Sequence, residues 1–299
     1  MRKIVRYLGQ YLRTLPLSVA ASVLLFTAAL IFVNYRFGLE RALSRQPTGY
    51  RVLVWALLFF LAYTVPMLME QGFGVLRSLF KRGFAVLLLA APLIFALKLA
   101  LPINLPLHAL PSDNRYWNLV LYYPAKLTLT VLLLYALWRR YHPEEPFYGT
   151  GPTRPLRPYW GMLLLMLPLV ALASTRPDFL AMYPKFQHLA AVRAASPVKQ
   201  VLYELSYGSD FITIELFFRG FLVIAFARYL GTGAILPMAA FYCSIHFGKP
   251  LGECISSFFG GIVLGVTTYH TRSIWGGLMV HLGIAWLMEL GGYLGRLAS

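Results

Sequence analysis

Acidic residues are scarce: 11 Asp and Glu stand among 299 positions, and charges of both signs make up only 13% of the chain. A soluble domain carries roughly a quarter of its residues charged, so the polar surface that a water-exposed fold requires is missing. Cysteine is nearly absent as well. Cys243 and Cys254, both in apolar surroundings, cannot build a disulfide framework and read as small hydrophobes. A cleavable leader is not expected either. The basic start runs into the apolar stretch 17–33, which is longer than a signal-peptide core and ends in Asn34-Tyr35-Arg36 without a small-residue cleavage pattern. It reads as a first membrane helix that is retained.

What the chain has is apolar surface: 59% hydrophobic residues and a mean hydropathy of +0.64. The apolar residues come in blocks, and about 20 residues suffice for a helix to cross a bilayer with its backbone groups satisfied internally. The pattern predicts helices at 15–35, 52–69, 84–100, 118–138, 161–174, 201–229, 234–247, 254–270 and 274–294. The expected fold is all-α, a polytopic integral membrane bundle of about eight to nine transmembrane helices, placed in the plasma membrane. Trp117, Trp138, Trp160 and Trp275 fall near predicted helix ends, as an interfacial aromatic belt requires.

The net charge of +16 does not form a nucleic-acid stripe. Cations cluster at the ends of apolar blocks: Arg2, Lys3, Arg6 and Arg13; Arg36, Arg41, Arg45 and Arg51; Lys81 and Arg82; Arg139 and Arg140. Such basic loops anchor helices and meet anionic lipid headgroups. They divide almost evenly between the two membrane sides, with a slight lean towards a cytoplasmic N-terminus.

The chain changes character near residue 200. Residues 1–200 read as N-terminal transmembrane helices of unassigned role, joined by basic, Pro-rich loops. In 201–299 the ionisable groups Glu204, Asp210, Glu215, Arg219, His246, Glu253, His281 and Glu289 lie in or beside the apolar blocks. Charges at membrane depth are costly, usually paired, and usually mark a site.

Three elements stand out. In Ile214-Glu215-Leu216-Phe217-Phe218-Arg219-Gly220 the acid and the base are four apart, on one helix face and within pairing reach. In Tyr242-Cys243-Ser244-Ile245-His246 the histidine falls in the last turn of a helix, with Gly248 as a C-cap and Pro250 opening the next helix. His281 lies in the otherwise apolar stretch 275–290, with Ala285 one turn later and Glu289 too far along the axis for direct contact. Beside them, Glu253 suits the first turn of its helix and a pair with Lys249. Gly261 and Gly265 suit a helix-packing face. Read separately, Glu215–Arg219 could be a structural ion pair and each histidine a satisfied core residue. Three helices each offering Glu or His to one apolar bundle point to a shared polar site.

The last third resembles the CPBP intramembrane proteases, which include the type II CAAX prenyl endopeptidases and the abortive-infection and bacteriocin-processing relatives. Their pattern is two adjacent acids, three residues, then Arg; next Phe-x-x-x-His; then His-x-x-x-Asn or Asp. Glu215, Arg219, His246 and His281 follow it in order over about residues 200–294. The chain departs at Ile214, where the first acid stands in the family, at Tyr242 for Phe, and at Ala285 for Asn or Asp.

The resemblance implies an intramembrane endopeptidase acting on a peptide or protein substrate at the membrane. Glu215 and His246 would hold and deprotonate water, His281 would donate to the oxyanion, and Arg219 would fix and charge-balance Glu215. A metal-dependent version would use Glu215, His246 and His281 as three Zn²⁺ ligands with an open fourth position. Asp210, one turn before Ile214, and Glu253 are auxiliary candidates. The competing reading is a non-catalytic scaffold or immunity-type protein that keeps the fold. A transporter is disfavoured because no repeat is visible.

Overall fold

Twenty-one apolar residues in an α-helix rise about 32 Å, enough for a hydrocarbon core of about 30 Å. The second helix of the chain has that length. The structure, a computed structural model, describes residues 2–72, 74–151 and 155–298. Its principal helices are α1 (Arg2–Thr14), α2 (Leu17–Phe37), α3 (Thr48–Gln71), α4 (Phe84–Ala100), α5 (Pro111–Tyr141), α6 (Arg157–Ala173), α7 (Pro197–Ile214), α8 (Ile235–Ser244), α9 (Leu251–Thr271) and α10 (Trp275–Ala298). No strand occurs among the described residues.

Each of the nine predicted apolar blocks is helical, but they are not equivalent. Five are long and apolar enough to cross a membrane: α2, α3, α5, α9 and Trp275–Leu297 of α10. α4 and α6 are apolar but only 17 residues long, about 26 Å of rise. α8 has ten residues, all buried. The expectation of eight to nine spans is therefore supported only as a multi-pass helical bundle with five candidate spans. Leu25, Leu89, Leu132 and Leu165, on the outer faces of α2, α4, α5 and α6, are each more than three-fifths exposed, as lipid-facing leucines should be.

The core is aromatic. Phe59 of α3 and Phe95 of α4 pack on Phe241 of α8, and Phe95 also meets Phe217 and Phe218 beyond the end of α7. Ring centroids 4.8–5.9 Å apart in edge and tilted geometries are favourable arrangements of the ring quadrupoles. α9 lies against α8 through the expected glycine face. A Cβ on Gly261 would meet Ala239 Cα at 3.2 Å, and one on Gly265 would meet Met238 Cε at 2.6 Å.

The predicted helix 201–229 is continuous in direction but not in kind. After Ile214 the backbone widens into a π-type segment, Glu215–Ala225, in which every residue is buried. Such i→i+5 segments are rare and frequent at functional sites. Here the segment carries both Glu215 and Arg219. Gly220 lets it approach the Phe147–Gly149 turn: an added Cβ would lie 2.5 Å from the Tyr148 carbonyl oxygen.

Candidate active site

Four side chains from three elements close a circuit. Glu215 opens the π-type segment, and its Oε1 lies 3.1 Å from Arg219 Nη1 and 3.0 Å from His281 Nδ1 on α10. The Arg219 guanidinium sits over the ring of Tyr242 on α8, 4.2 Å from its centroid. The Tyr242 hydroxyl returns to His281, 3.0 Å from Nε2. Glu215 and Arg219 are fully buried while the His281 side chain keeps 15% of its surface. The charged pair is thus the floor and the imidazole the rim.

Two further features shape this floor. Glu215 Oε2 has no protein hydrogen-bond partner. A buried acceptor left unpaired is unusual and needs a reason, such as a role in binding or catalysis. Space beside it is kept by Gly277 in the first turn of α10, where an added Cβ would lie 2.3 Å from that oxygen. On the other side Phe211, one turn before Glu215, sets its ring edge-on to His281 with centroids 4.8 Å apart.

His246 joins this group through Tyr242. The α8 helix ends at Ser244, so His246 lies in the turn beyond it rather than in the last helical turn, and Gly248 is not the cap. Its Nδ1 is 2.9 Å from the Tyr242 carbonyl oxygen and its ring centroid 4.7 Å from that of Tyr242. A carbonyl only accepts, so Nδ1 carries a proton, and in the neutral imidazole Nε2 is then the nitrogen with the lone pair. Tyr242 therefore touches both histidines, His246 by its carbonyl and ring and His281 by its hydroxyl. The sequence signal for this was the Tyr in place of Phe, which read as a mild change. Gly277 gave no separable signal, being one of 24 glycines.

The auxiliary acids are engaged elsewhere. Asp210 turns to Lys98 of α4, with Nζ 2.7 Å from Oδ1 and 3.0 Å from Oδ2. Glu253 is in the first turn of α9 as expected and pairs with Lys249 at 3.4 Å, and the Tyr183 hydroxyl donates to it. Glu289 accepts from the Lys185 backbone N–H at 2.8 Å and does not meet His281. Cys243 and Cys254 are both buried, their sulfurs 3.9 Å apart and unbonded.

The three-ligand zinc reading does not fit this geometry. Both His281 nitrogens are committed, Glu215 Oε1 faces a guanidinium, and no group of three or more His, Cys, Asp or Glu suited to a metal occurs among the described residues. Tetrahedral zinc needs at least three such donors converging on one point.

Residues 208–287 match the family described as Type II CAAX prenyl endopeptidase Rce1-like. This segment is similar to that family. It contains Glu215, Arg219, Tyr242, His246 and His281, and it agrees with the resemblance to the CPBP proteases. The match speaks for a protease-type, multi-pass membrane protein; it gives no support to the abortive-infection branch or to a metalloprotease. No curated protein and no solved structure matches the chain. The Rce1-like segment begins within α7 and ends within α10, so it includes the π-type segment and every side chain of the circuit.

Proposed function

We propose that the protein is a CAAX-protease-like intramembrane endopeptidase that uses water activated by Glu215 and His246. The observation that carries the reading is the fully buried Glu215. Its Oε1 is gripped by Arg219 and His281 while its Oε2 is left to accept from something other than protein. The three Arg219 guanidinium nitrogens likewise have no protein hydrogen-bond partner, so the buried pair as a whole leaves polar groups for something other than protein, each at a cost of about 1–3 kcal/mol. His246 supplies the complementary group, a neutral imidazole with a free Nε2 lone pair.

In this scheme water is held by Glu215 Oε2 and His246 Nε2, and a base within about 3.2 Å of it takes the proton. Attack on the peptide carbonyl gives an oxyanion on the His281 side. His246 then returns the proton to the departing amine. Arg219 balances the Glu215 charge and holds the carboxylate in place. Residues 201–299 carry the chemistry and 1–200 brace it, as Phe59 and Phe95 do through Phe217, Phe218 and Phe241. The substrate is a peptide or protein presented at the plasma membrane, with anionic lipids at the basic loops.

A scaffold is the second reading, favoured by Ile214 at the position of the family's first acid. The two are separated by cleavage of a membrane-presented peptide library in liposomes. Wild type should cleave, and Glu215→Gln and His246→Ala should each lose about 10²–10⁴ of the rate while remaining folded. Equal inertness of wild type and Glu215→Gln would leave the scaffold.

A further inference from the structure

We propose that the Tyr242 hydroxyl is the donor that touches the oxyanion, with His281 acting through it. The inference rests on the peptidase reading above and goes beyond it, because the resemblance assigns oxyanion donation to His281 alone and nothing to position 242.

The geometry blocks the direct route. His281 Nδ1 is occupied by Glu215 Oε1, and Nε2 is capped by the Tyr242 hydroxyl at 3.0 Å. Two protonation states are possible, and both give the same outcome. With His281 neutral, Nδ1–H donates to Glu215 and Nε2 accepts from the phenol; an incoming carbonyl oxygen then competes for that phenol hydrogen. With His281 as imidazolium beside Glu215, Nε2–H donates to the phenol oxygen and leaves the O–H free to donate outward. In each case the hydroxyl has a hydrogen to donate to a carbonyl oxygen without breaking the Glu215–His281 contact.

The surroundings also make this hydroxyl a strong donor. The Arg219 guanidinium lies 4.2 Å from the ring centroid and draws on its electron density. The chain Glu215–His281–Tyr242 polarises each hydrogen bond in turn, with Glu215 fully buried and Tyr242 5% exposed. Preorganised donors of this kind need no reorganisation as charge develops.

The sequence departures fit this assignment together. Ala285, one turn after His281 on α10, packs with Tyr207 and Phe211 and has no donor where the family pattern has Asn or Asp. Tyr242 has a hydroxyl where the pattern has Phe. The polar group that the pattern has at 285 is absent, and a hydroxyl that it lacks is present at 242.

The step balances as follows. Water oxygen bonds to the carbonyl carbon, its proton goes to His246 Nε2, and the C–O π pair moves to the carbonyl oxygen. Tyr242 O–H donates a hydrogen bond to that oxygen and keeps its proton. On collapse the C–N bond breaks, and the proton on His246 leaves with the amine.

Tyr242→Phe removes only the hydroxyl and leaves the ring under Arg219 and the carbonyl on His246. The full-length protein in liposomes would be assayed for kcat and KM on a cleaved peptide. Binding of a peptide phosphonate, a tetrahedral mimic, would be measured beside that of an N-methylated, uncleavable peptide. Loss of one oxyanion donor should lower kcat by about 10²–10³ with KM unchanged. Phosphonate affinity should fall with it while affinity for the uncleavable peptide holds, since only the transition state uses the donor. Wild-type kcat and phosphonate affinity in Tyr242→Phe would overturn the inference. So would a parallel fall in affinity for both probes with a lowered unfolding temperature, the mark of a structural brace. If wild type neither cleaves nor binds the phosphonate, the peptidase reading fails and this inference with it.

Discussion

Arg219→Ala is the most direct perturbation of the site floor. Arg219 and Glu215 are both sealed from solvent, with Nη1 and Oε1 3.1 Å apart. At an effective dielectric of 20 their attraction is about 5 kcal/mol, most of it offset in wild type by the desolvation of two charges. Removing the cation alone keeps the desolvation of Glu215 and discards the attraction. The His281 hydrogen bond to the same oxygen, 3.0 Å long, remains and recovers part of it. The net loss expected is about 3–5 kcal/mol, as for other broken buried pairs. In a chain of this size that lowers the unfolding temperature by on the order of 10 °C. The six tryptophans report unfolding of the detergent-solubilised protein by intrinsic fluorescence at a fixed scan rate. The double variant Glu215→Gln/Arg219→Met, which removes both charges and keeps the volume, should recover most of the loss. An Arg219→Ala protein that unfolds at the wild-type temperature would refute the burial of this pair as charges.

Gly277→Ala should displace Glu215, since the new Cβ would lie 2.3 Å from Oε2 of a carboxylate already held on its other oxygen. Cleavage should fall by at least the ~10²-fold that a misplacement of about 1 Å brings, and retained wild-type turnover would count against a role for Oε2. His142, at the end of α5, gives a pH dependence outside the spans. Burial, then the Arg228 charge, pushes its pKa down from 6.5 to about 4. The unfolded chain therefore takes up this proton first as pH falls. His142 contributes stability above about pH 6.5 that is lost progressively on acidification towards about 4. Its Nε2 lies 3.2 Å from the Tyr229 hydroxyl. The unfolding temperature of His142→Gln should fall less than that of wild type between pH 6.5 and 4; parallel curves would show that His142 does not titrate differently on unfolding.

The helices were readable in the sequence because a bilayer demands long apolar runs, and all nine predicted blocks are helical. What was missed lacks that signal. α1 is a basic, mostly exposed helix that buries Ile4 and Tyr11, and its cations read as anchors rather than as a helix face. The Glu215–Arg219 pair was legible from its spacing, which is local. Asp210 was not, because its partner Lys98 is 112 residues away and no spacing rule reaches that far. His281 stood out as a candidate from its place in an apolar stretch, but its contact with Glu215 spans 66 residues and depends on how α10 packs on the π-type segment. That segment itself has no periodicity distinct from the α-helix it extends.

The three family departures fall on three elements: Ile214 and Tyr242 pack in the main core, and Ala285 packs with Tyr207 and Phe211. Ile214 is 6% exposed and packs within the core with Leu216 and Phe217, so the first acid's position is filled by hydrocarbon. A carboxylate there would need its own partner in an apolar wall, whereas Glu215, one residue on, faces Arg219, His281 and the space beside Gly277. The polar inventory at the floor thus falls from two acids to one, and that one acid is shared between a guanidinium and an imidazole. A site with a single acid needs a second proton acceptor for water, the role proposed for His246, which contacts Tyr242 through Nδ1. It also has fewer groups to stabilise an oxyanion once Ala285 replaces a polar side chain, and Tyr242 adds a hydroxyl at the point where His281 would otherwise end. A scaffold under no chemical demand would have no reason to keep this circuit buried, since each unpaired member at such depth costs several kcal/mol. The arrangement is physically coherent if the groups act on a substrate, with the acid, the imidazoles and the phenol dividing between them the proton and charge movements of one hydrolysis.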